Sequence, residues 1–157
     1  MTSLNFFRPA LRALLLATSA AVFCTGALAL SPQEQANKDV VLAFYETAIN
    51  KKDADAAAAF IGPKYIQHNP RAADGVEALK GFINGYLKKA NPALKATVRR
   101  VVVQDDLVVL HVQSLAQPGG PETAIVDIFR VENGKIVEHW DVMQQVPEQM
   151  AHGNTMF

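Results

Sequence analysis

The dipeptide Asn133-Gly134 constrains the fold of this chain more than any other feature, because strand-like runs of β-branched and aromatic residues flank it on both sides. Both of its residues tolerate a positive φ angle, which a two-residue type I′ hairpin turn requires. The pattern therefore predicts a β-hairpin over residues 123–146.

A regular ladder about this turn predicts which side chains share a face of the sheet. Three cross-strand pairs fall on one face: Val131 with Ile136, Phe129 with Glu138, and Asp127 with Trp140. The opposite face carries Val126, Ile128, Arg130, Val137, His139 and Asp141. An apolar and aromatic face that holds two carboxylates is typical of a small-molecule pocket. The other face is then expected to make a dimer contact.

The N-terminal residues resemble a secretory signal peptide. Arg8 and Arg12 form a basic leader, an apolar run extends from Ala13 to about Gly26, and Ala27-Leu28-Ala29 supplies small residues at the spacing of a cleavage site. The run is shorter than the roughly 18 to 20 apolar residues of a spanning helix. The sequence therefore predicts cleavage near Ala29, a periplasmic or secreted product without a membrane segment, and a single domain over residues 30–157 with a short tail from about 148.

The composition of the mature chain argues against several classes of partner and cofactor. Removal of Arg8 and Arg12 leaves 13 basic against 15 acidic side chains, with no basic stripe, so a nucleic-acid partner is not expected. The only cysteine, Cys24, lies in the leader, and the mature domain is therefore expected to be held by its core alone. The four histidines are scattered and no spacing resembles a ligand set, so neither a metal nor another cofactor is expected.

In the rest of the chain, the spacing of apolar residues changes between that of helices and that of strands. A capping box at Ser31-Pro32-Gln33-Glu34 opens a helix to about Asn50, Asp53 caps a short second helix, and Asp74-Gly75 leads into a third. An extended piece covers residues 64–70, and strands are expected at 94–104 and 107–116 before the hairpin. The order α-α-β-α-β-β-β-β predicts an α+β fold in which three N-terminal helices cover one face of a curved, mainly antiparallel sheet.

Two motifs carry a family resemblance: Tyr65-Ile66-Gln67-His68-Asn69-Pro70, and the stretch from Asp127-Ile128-Phe129-Arg130 through Asn133-Gly134 to Glu138-His139-Trp140-Asp141. Over about residues 35–147 the chain resembles the SnoaL-like, polyketide cyclase-like branch of the NTF2-like superfamily. The resemblance implies a cone: a strongly bent sheet wrapped around helices, with a deep pocket at the open end. It also implies aldol-type chemistry without a metal or organic cofactor.

The resemblance assigns roles where positions match. Asp127 takes the position of the acid/base aspartate, and His111, one strand earlier, that of a supporting histidine. If the hairpin between these strands pairs residues whose numbers sum to 238, His111 lies opposite Asp127; a slip by one residue turns it to the other face. His68 is the third catalytic candidate. Five residues are predicted to bind substrate: Tyr65, Asn69, Phe129, Glu138 and Trp140.

Each candidate also has a structural interpretation. Asp127 is costly to bury in mid-strand and has to meet water, a partner or a ligand, which a structural hydrogen bond would also satisfy. His111 could be a satisfied core histidine and Asn69 a turn cap, while Phe129 and Trp140 could serve as core or as pocket wall. Glu138 could pair with a basic group.

Three functions follow from these observations. The first is an exported proton-transfer enzyme of the cyclase, isomerase or lyase type, acting on a hydrophobic carbonyl compound. The second is a binding module with the same pocket and no chemistry. The third is an interaction domain that forms a homodimer through an outer sheet face carrying Val126, Ile128, Val137 and Met143.

Overall fold

The computed structural model describes residues 29–157. The predicted leader therefore lies, except for Ala29, outside the described residues. None of the helices between residues 29 and 157 has the length and hydropathy that a membrane-spanning helix needs.

Three helices and five strands follow one another in the predicted order, α-α-β-α-β-β-β-β. The helices are α1 (Pro32–Tyr45, continued by a π-helical turn over Glu46–Asn50), α2 (Ala54–Ala58) and α3 (Val76–Gly81, continued by π-helical Phe82–Ala90). The strands are β1 (Ile61–Gln67), β2 (Lys95–Gln104), β3 (Leu107–Leu115), β4 (Glu122–Glu132) and β5 (Lys135–Gln145). The predicted α+β class is confirmed.

Local sequence signals account for the ends of the first helices. The Ser31 hydroxyl accepts a hydrogen bond from the backbone N–H of Glu34, whose carboxylate accepts one from the N–H of Ser31, which confirms the capping box. Asp53 caps α2 by accepting from the N–H of Ala56. Gly75, with a φ of 90° that disfavours other residues, redirects the chain into α3.

The five strands form one curved, unclosed sheet in the order β1-β5-β4-β3-β2. β1 runs parallel to β5, and the other three pairs are antiparallel. The turn between β4 and β5 has φ angles of 50° at Asn133 and 72° at Gly134. Positive values at both positions confirm the predicted type I′ turn.

The predicted register of this hairpin was right next to the turn and wrong beyond it. Val131 does pair with Ile136, but Arg130 then pairs with Glu138, so Val137 is an extra residue on β5. This β-bulge shifts every later residue of the strand by one position. The remaining inner and outer pairs therefore differ from those of a regular ladder: Phe129 with His139, Ile128 with Trp140, and Asp127 with Asp141.

The structure also decides the register between β3 and β4, which the sequence left open by one residue. Leu110, and not His111, pairs with Asp127 across β3 and β4, while His111 pairs with Val126. The six-residue connection between these strands does not fix the register from sequence, and a slip of one residue turns His111 to the outer face. There its Nδ1 lies 3.0 Å from Nη1 of Arg100, and its ring stacks on Phe157.

The core lies between the helices and the inner face of the sheet. Its most deeply buried large side chains are Val41, Ile83, Leu87, Val108, Leu110, Val112, Phe129 and Ile136. Two aromatic residues in the π-helical continuation of α3, Phe82 and Tyr86, do not join this core and are 42% and 51% exposed. They stack on each other with ring centroids 5.3 Å apart.

Candidate functional site

A cavity of about 510 Å³ opens between the inner face of the sheet and the helices. Its wall is mainly apolar and aromatic, and includes Phe44, Ile49, Leu79, Phe82, Tyr86, Leu94, Ile125, Phe129 and Met143. This volume lies in the range of small-molecule sites. A more open and polar depression, lined by Ser31, Glu34, Asp105 and Asn133 among others, lies at the start of α1 and lacks such a wall.

Asp127 is the buried carboxylate of this cavity, and only 5% of its surface is exposed. The phenol of Tyr45, from α1, donates a hydrogen bond of 2.9 Å to Oδ2. Nε2 of His139 lies 3.1 Å from Oδ1. Burial of a carboxylate is tolerated when such partners satisfy it. Asp127 therefore has one partner on each oxygen while still lining the cavity.

His139 reaches the inner face because of the bulge at Val137. Its ring stacks on that of Phe129, with centroids 4.7 Å apart, and is 8% exposed. Its second nitrogen, Nδ1, lies 2.9 Å from Oε1 of Gln67 at the end of β1. The imidazole is thus held by packing on one side and by hydrogen bonds at both nitrogens.

Two tyrosines supply neutral hydroxyl groups next to Asp127. Burial, followed by the nearby charge of Asp127, raises the pKa of both Tyr45 and Tyr65 well above the ordinary value of 10.0. Both side chains therefore stay protonated at neutral pH. Tyr65 accepts a long hydrogen bond of 3.4 Å from Nε2 of Gln67, and among residues 29–157 its hydroxyl proton has no acceptor. That proton is available to a ligand.

Asp141 lies directly opposite Asp127 on β5 and also lines the cavity. The side-chain amide of Asn69 donates to both of its carboxylate oxygens, at 2.9 and 2.8 Å. Ligand atoms of Asp127, His139 and Asp141 lie within 4.8 Å of one another, a grouping that the scattered histidines of the sequence did not suggest. In this arrangement those atoms already have protein partners, so a metal ion would have to displace the hydrogen bonds from Asn69 and between His139 and Asp127.

The structure brings together only some of the predicted site residues. Tyr65, Asn69, Asp127 and Phe129 line the cavity. His68, Glu138 and Trp140 lie instead on the outer face, where the bulge and the end of β1 place them. The prediction that put Glu138 and Trp140 beside Asp127 was wrong for this reason. His111 is also on the outer face, because the β3–β4 register is the alternative that differs by one residue.

The outer-face residues form a network of their own. Glu138 accepts hydrogen bonds from Nε2 of His68, at 2.8 Å, and from Nε of Arg130, at 2.9 Å. Arg130 also bonds Asp106 at 2.6 Å, and the ring of His68 stacks on Trp140 at 4.7 Å. The expected basic partner of Glu138 is therefore present. The network ties the end of β1 to β4 and β5 behind the cavity.

Four residues around Asp127 were not predicted as site residues from the sequence: Tyr45, Gln67, His139 and Asp141. Tyr45 lies in α1, far from Asp127 in the chain. The spacing of His139 and Asp141, two apart on one strand, did place them on a common face. The bulge at Val137, which no sequence signal marks, turns that face inward.

The helices packed on a curved, unclosed sheet and the cavity between them define an NTF2-like pocket protein. The model of the SnoaL-like domain matches residues 41–139. The chain belongs to the SnoaL-like family, as its motifs predicted.

Solved structures share this fold. A proposed SnoaL-like polyketide cyclase from Jannaschia sp. CCS1 is 24% identical, with a TM-score of 0.63 over 74% of this chain and 90% of that one. A proposed ketosteroid isomerase from Kribbella flavida is 15% identical, with a TM-score of 0.61 over 76% and 86%. TsrD from Streptomyces laurentii is 23% identical, with a TM-score of 0.58 over 69% and 89%. No curated protein matches the sequence.

Proposed function

We propose that this protein is a cofactor-free acid/base enzyme, of the aldol cyclase, isomerase or lyase type, that acts on a hydrophobic carbonyl compound. The observation that carries the proposal is the hydrogen-bonded pair of Asp127 and His139 in an otherwise apolar cavity. A buried carboxylate next to a titratable imidazole is a typical arrangement for proton transfer.

The proposed first step breaks a C–H bond next to the substrate carbonyl. The proton passes to the carboxylate of Asp127, and the electron pair of that bond moves onto the carbonyl oxygen as an enolate. Tyr65 donates its free hydroxyl proton in a hydrogen bond to that oxygen, where negative charge develops. The enolate then regains a proton at another carbon, or attacks a second carbonyl within the same molecule.

The neutral state of the tyrosines supports these roles. A phenol with the ordinary pKa of 10.0 is already protonated at neutral pH, and burial and the charge of Asp127 raise the pKa of Tyr65 further, so its phenol remains a hydrogen-bond donor. The pKa of Tyr45 is raised for the same two reasons, so its phenol keeps donating to Oδ2 of Asp127. One tyrosine therefore holds the base while the other faces the ligand.

The cavity wall supports a hydrophobic substrate. Its apolar side chains extend from the buried ring of Phe129 to the exposed rings of Phe82 and Tyr86. Two solved structures with the same fold are a proposed polyketide cyclase and a proposed ketosteroid isomerase. These activities belong to those proteins, and they support the same class of substrate here.

A ligand screen with product analysis tests the proposal. Thermal-shift measurements on hydrophobic ketones and diketones identify ligands, and each ligand is then incubated with wild type, Asp127→Asn and Asp106→Asn. Asp106 is the matched control, because it is a carboxylate that bonds Arg130 on the outer face. We expect Asp127→Asn to bind ligand but to lose roughly 10²- to 10⁴-fold in turnover, the usual contribution of a general base. Asp106→Asn should keep wild-type turnover.

Two results would contradict the proposal. Equal turnover by wild type and Asp127→Asn would exclude Asp127 as the base. Ligands that bind wild type and never yield a product would favour the alternative, a binding module with the same cavity.

We further propose that the chain is exported and assembles as a homodimer. Export rests on the basic leader, the apolar run and Ala27-Leu28-Ala29. N-terminal sequencing of protein from the cell envelope should find a mature terminus near Leu30, and an intact Met1 in the membrane fraction would indicate an anchor.

The dimer proposal uses the outer face of the sheet in its observed register. Two residues of the predicted apolar patch are not on this face: Met143 lines the cavity, and Val137 lies in the bulge against Gly62. Val142, 68% exposed, and Val102, 61% exposed, join Val126 and Ile128 there. So many apolar side chains on one face are typical of an interaction surface.

A further inference from the structure

We propose that Gln67 is a positioning residue that fixes which nitrogen of His139 carries a proton. The tautomer follows from the hydrogen bonds alone, whereas its catalytic consequence rests on the function proposed for Asp127 and His139. Gln67 lies at the end of β1, the strand next to β5, where it pairs with His139.

The backbone determines the orientation of the Gln67 amide. The N–H of Asn69 donates to the atom placed as Oε1, at 3.0 Å. A backbone N–H can only donate, so the atom it meets has to be the amide oxygen. The flipped amide would point its NH₂ group at that N–H. The same orientation leaves Nε2 as the atom that faces Tyr65.

The amide orientation in turn determines the His139 tautomer. Oε1 of Gln67 lies 2.9 Å from Nδ1 of His139. Because an amide oxygen only accepts, Nδ1 has to be the donor and carries a hydrogen.

The consequence appears at the other nitrogen. With Nδ1 protonated, a hydrogen bond between Nε2 and Oδ1 of Asp127, 3.1 Å away, contains a single proton. That proton belongs either to an imidazolium facing a carboxylate or to a carboxylic acid facing an imidazole. The Nδ1 proton points at Gln67 and away from the substrate. The pair therefore has one proton to exchange between Nε2 and Oδ1, while Gln67 keeps the other ring proton on Nδ1.

Gln67 is itself held by its neighbours. Its backbone N–H donates to Oδ1 of Asp74 at 2.8 Å, and Oδ1 of Asn69 accepts from the N–H of Arg71 at 2.8 Å. Tyr65, on the same strand, accepts from the N–H of Gly75 through its carbonyl oxygen. These bonds fix the end of β1. The side-chain amide of Gln67 is therefore held in one position relative to both His139 and Tyr65.

Imidazole ¹⁵N NMR tests the tautomer without any substrate. The chain has four histidines, so a histidine-labelled sample gives four ring systems, and a His139→Asn sample identifies the relevant one. We expect wild-type Nδ1 of His139 to carry a bonded proton at neutral pH. In Gln67→Met, which keeps the side-chain length but offers only a weak thioether acceptor, the proton should redistribute to Nε2. Gln67→Glu keeps an acceptor and should keep the proton on Nδ1. His68, which contacts Glu138 on the outer face, is the internal control and should not change.

Kinetics on any substrate found for the enzyme test the positioning role. We expect Gln67→Met to lower kcat by at least about tenfold, toward the ~10⁴-fold loss that a wrong histidine tautomer causes in a Ser-His-Asp triad, with little change in KM. Gln67→Glu should recover part of that loss. Circular dichroism establishes that each variant is folded before it is compared.

Three results would overturn the inference. One is a wild-type Nδ1 without a proton, another is a Gln67→Met spectrum in which His139 is unchanged, and the third is a Gln67→Met enzyme with wild-type kcat. If wild type itself shows no turnover on any ligand, the proposed function fails, while the NMR measurement still decides the tautomer.

Discussion

Nε2 of His139 lies 3.1 Å from Oδ1 of Asp127 because a single extra residue in β5, Val137, turns His139 to the inner face of the sheet. The two residues sit on neighbouring strands that a tight turn connects. Bulges of this kind recur next to active sites, where they redirect a side chain. The bulge is therefore the feature of this hairpin on which the proposed chemistry depends.

The type I′ turn gives the first prediction. Gly134 has a φ of 72°, and a β-branched residue is strained there. Gly134→Val should lower the free energy of unfolding by about 1–3 kcal/mol. Urea denaturation measures the loss. Gly153→Val is the control, because a Cβ at Gly153 meets nothing within 4 Å and its φ is not positive. Equal stability of Gly134→Val and the control would contradict the turn assignment.

The outer-face network gives a pH-dependent prediction. The hydrogen bond from His68, and then that from Arg130, lower the pKa of the Glu138 carboxyl below its ordinary value of 4.5. A carboxyl whose folded-state pKa is lowered stabilises the fold above its unfolded pKa, and the contribution is lost as pH falls through the folded pKa. Glu138→Gln should therefore be less stable than wild type at pH 7.

Thermal unfolding across pH checks this directly. The difference between wild type and Glu138→Gln should narrow as pH falls below 4.5 and disappear below the folded pKa. Glu148→Gln, in the exposed tail, should follow wild type throughout. A stability difference between wild type and Glu138→Gln that stays constant down to strongly acidic pH would mean that the ionised carboxylate contributes nothing to stability.

The dimer proposal makes a prediction about charge on the outer face. Val142 is 68% exposed there, so a lysine in its place fits the monomer and opposes burial of the face. Wild type should sediment as a dimer at micromolar concentration, and Val142→Lys as a monomer. Met150→Lys changes an exposed tail residue in the same way and should leave the dimer intact. A monomeric wild type would contradict the proposal.

Local signals predicted the elements of this fold well, because each depends on neighbouring residues. Ser31 and Glu34 start α1, and Asn133 and Gly134 determine the turn, through contacts within a few positions. The faces of the strands depend on register, which a bulge or a long connection changes by whole residues. Asp127 was found because a carboxylate in an apolar strand is conspicuous. His139 was assigned to the wrong face because nothing in the sequence marks Val137 as unpaired.

The partners of Asp127 come from distant parts of the chain, which explains why sequence reasoning missed them. Tyr45 is on α1, and its phenol reaches Asp127 only after the helix packs on the sheet. Gln67 reaches His139 because β1 joins the sheet beside β5. A tyrosine in an apolar helix face and a glutamine at a strand end carry no local sign of such a role.

In the proposed function, Asp127 and His139 together move a proton at a carbon next to a carbonyl. Deuterium incorporation into a bound hydrophobic ketone, followed by NMR in D₂O with a chelator present, tests it without knowledge of the natural substrate. Wild type should exchange the protons next to the carbonyl, and Asp127→Asn and His139→Gln should each lose roughly 10²- to 10⁴-fold in rate. The double variant should lose little more than the worse single variant, since groups that act as a unit are not additive. Exchange at the wild-type rate in Asp127→Asn, or exchange that the chelator abolishes, would contradict the account.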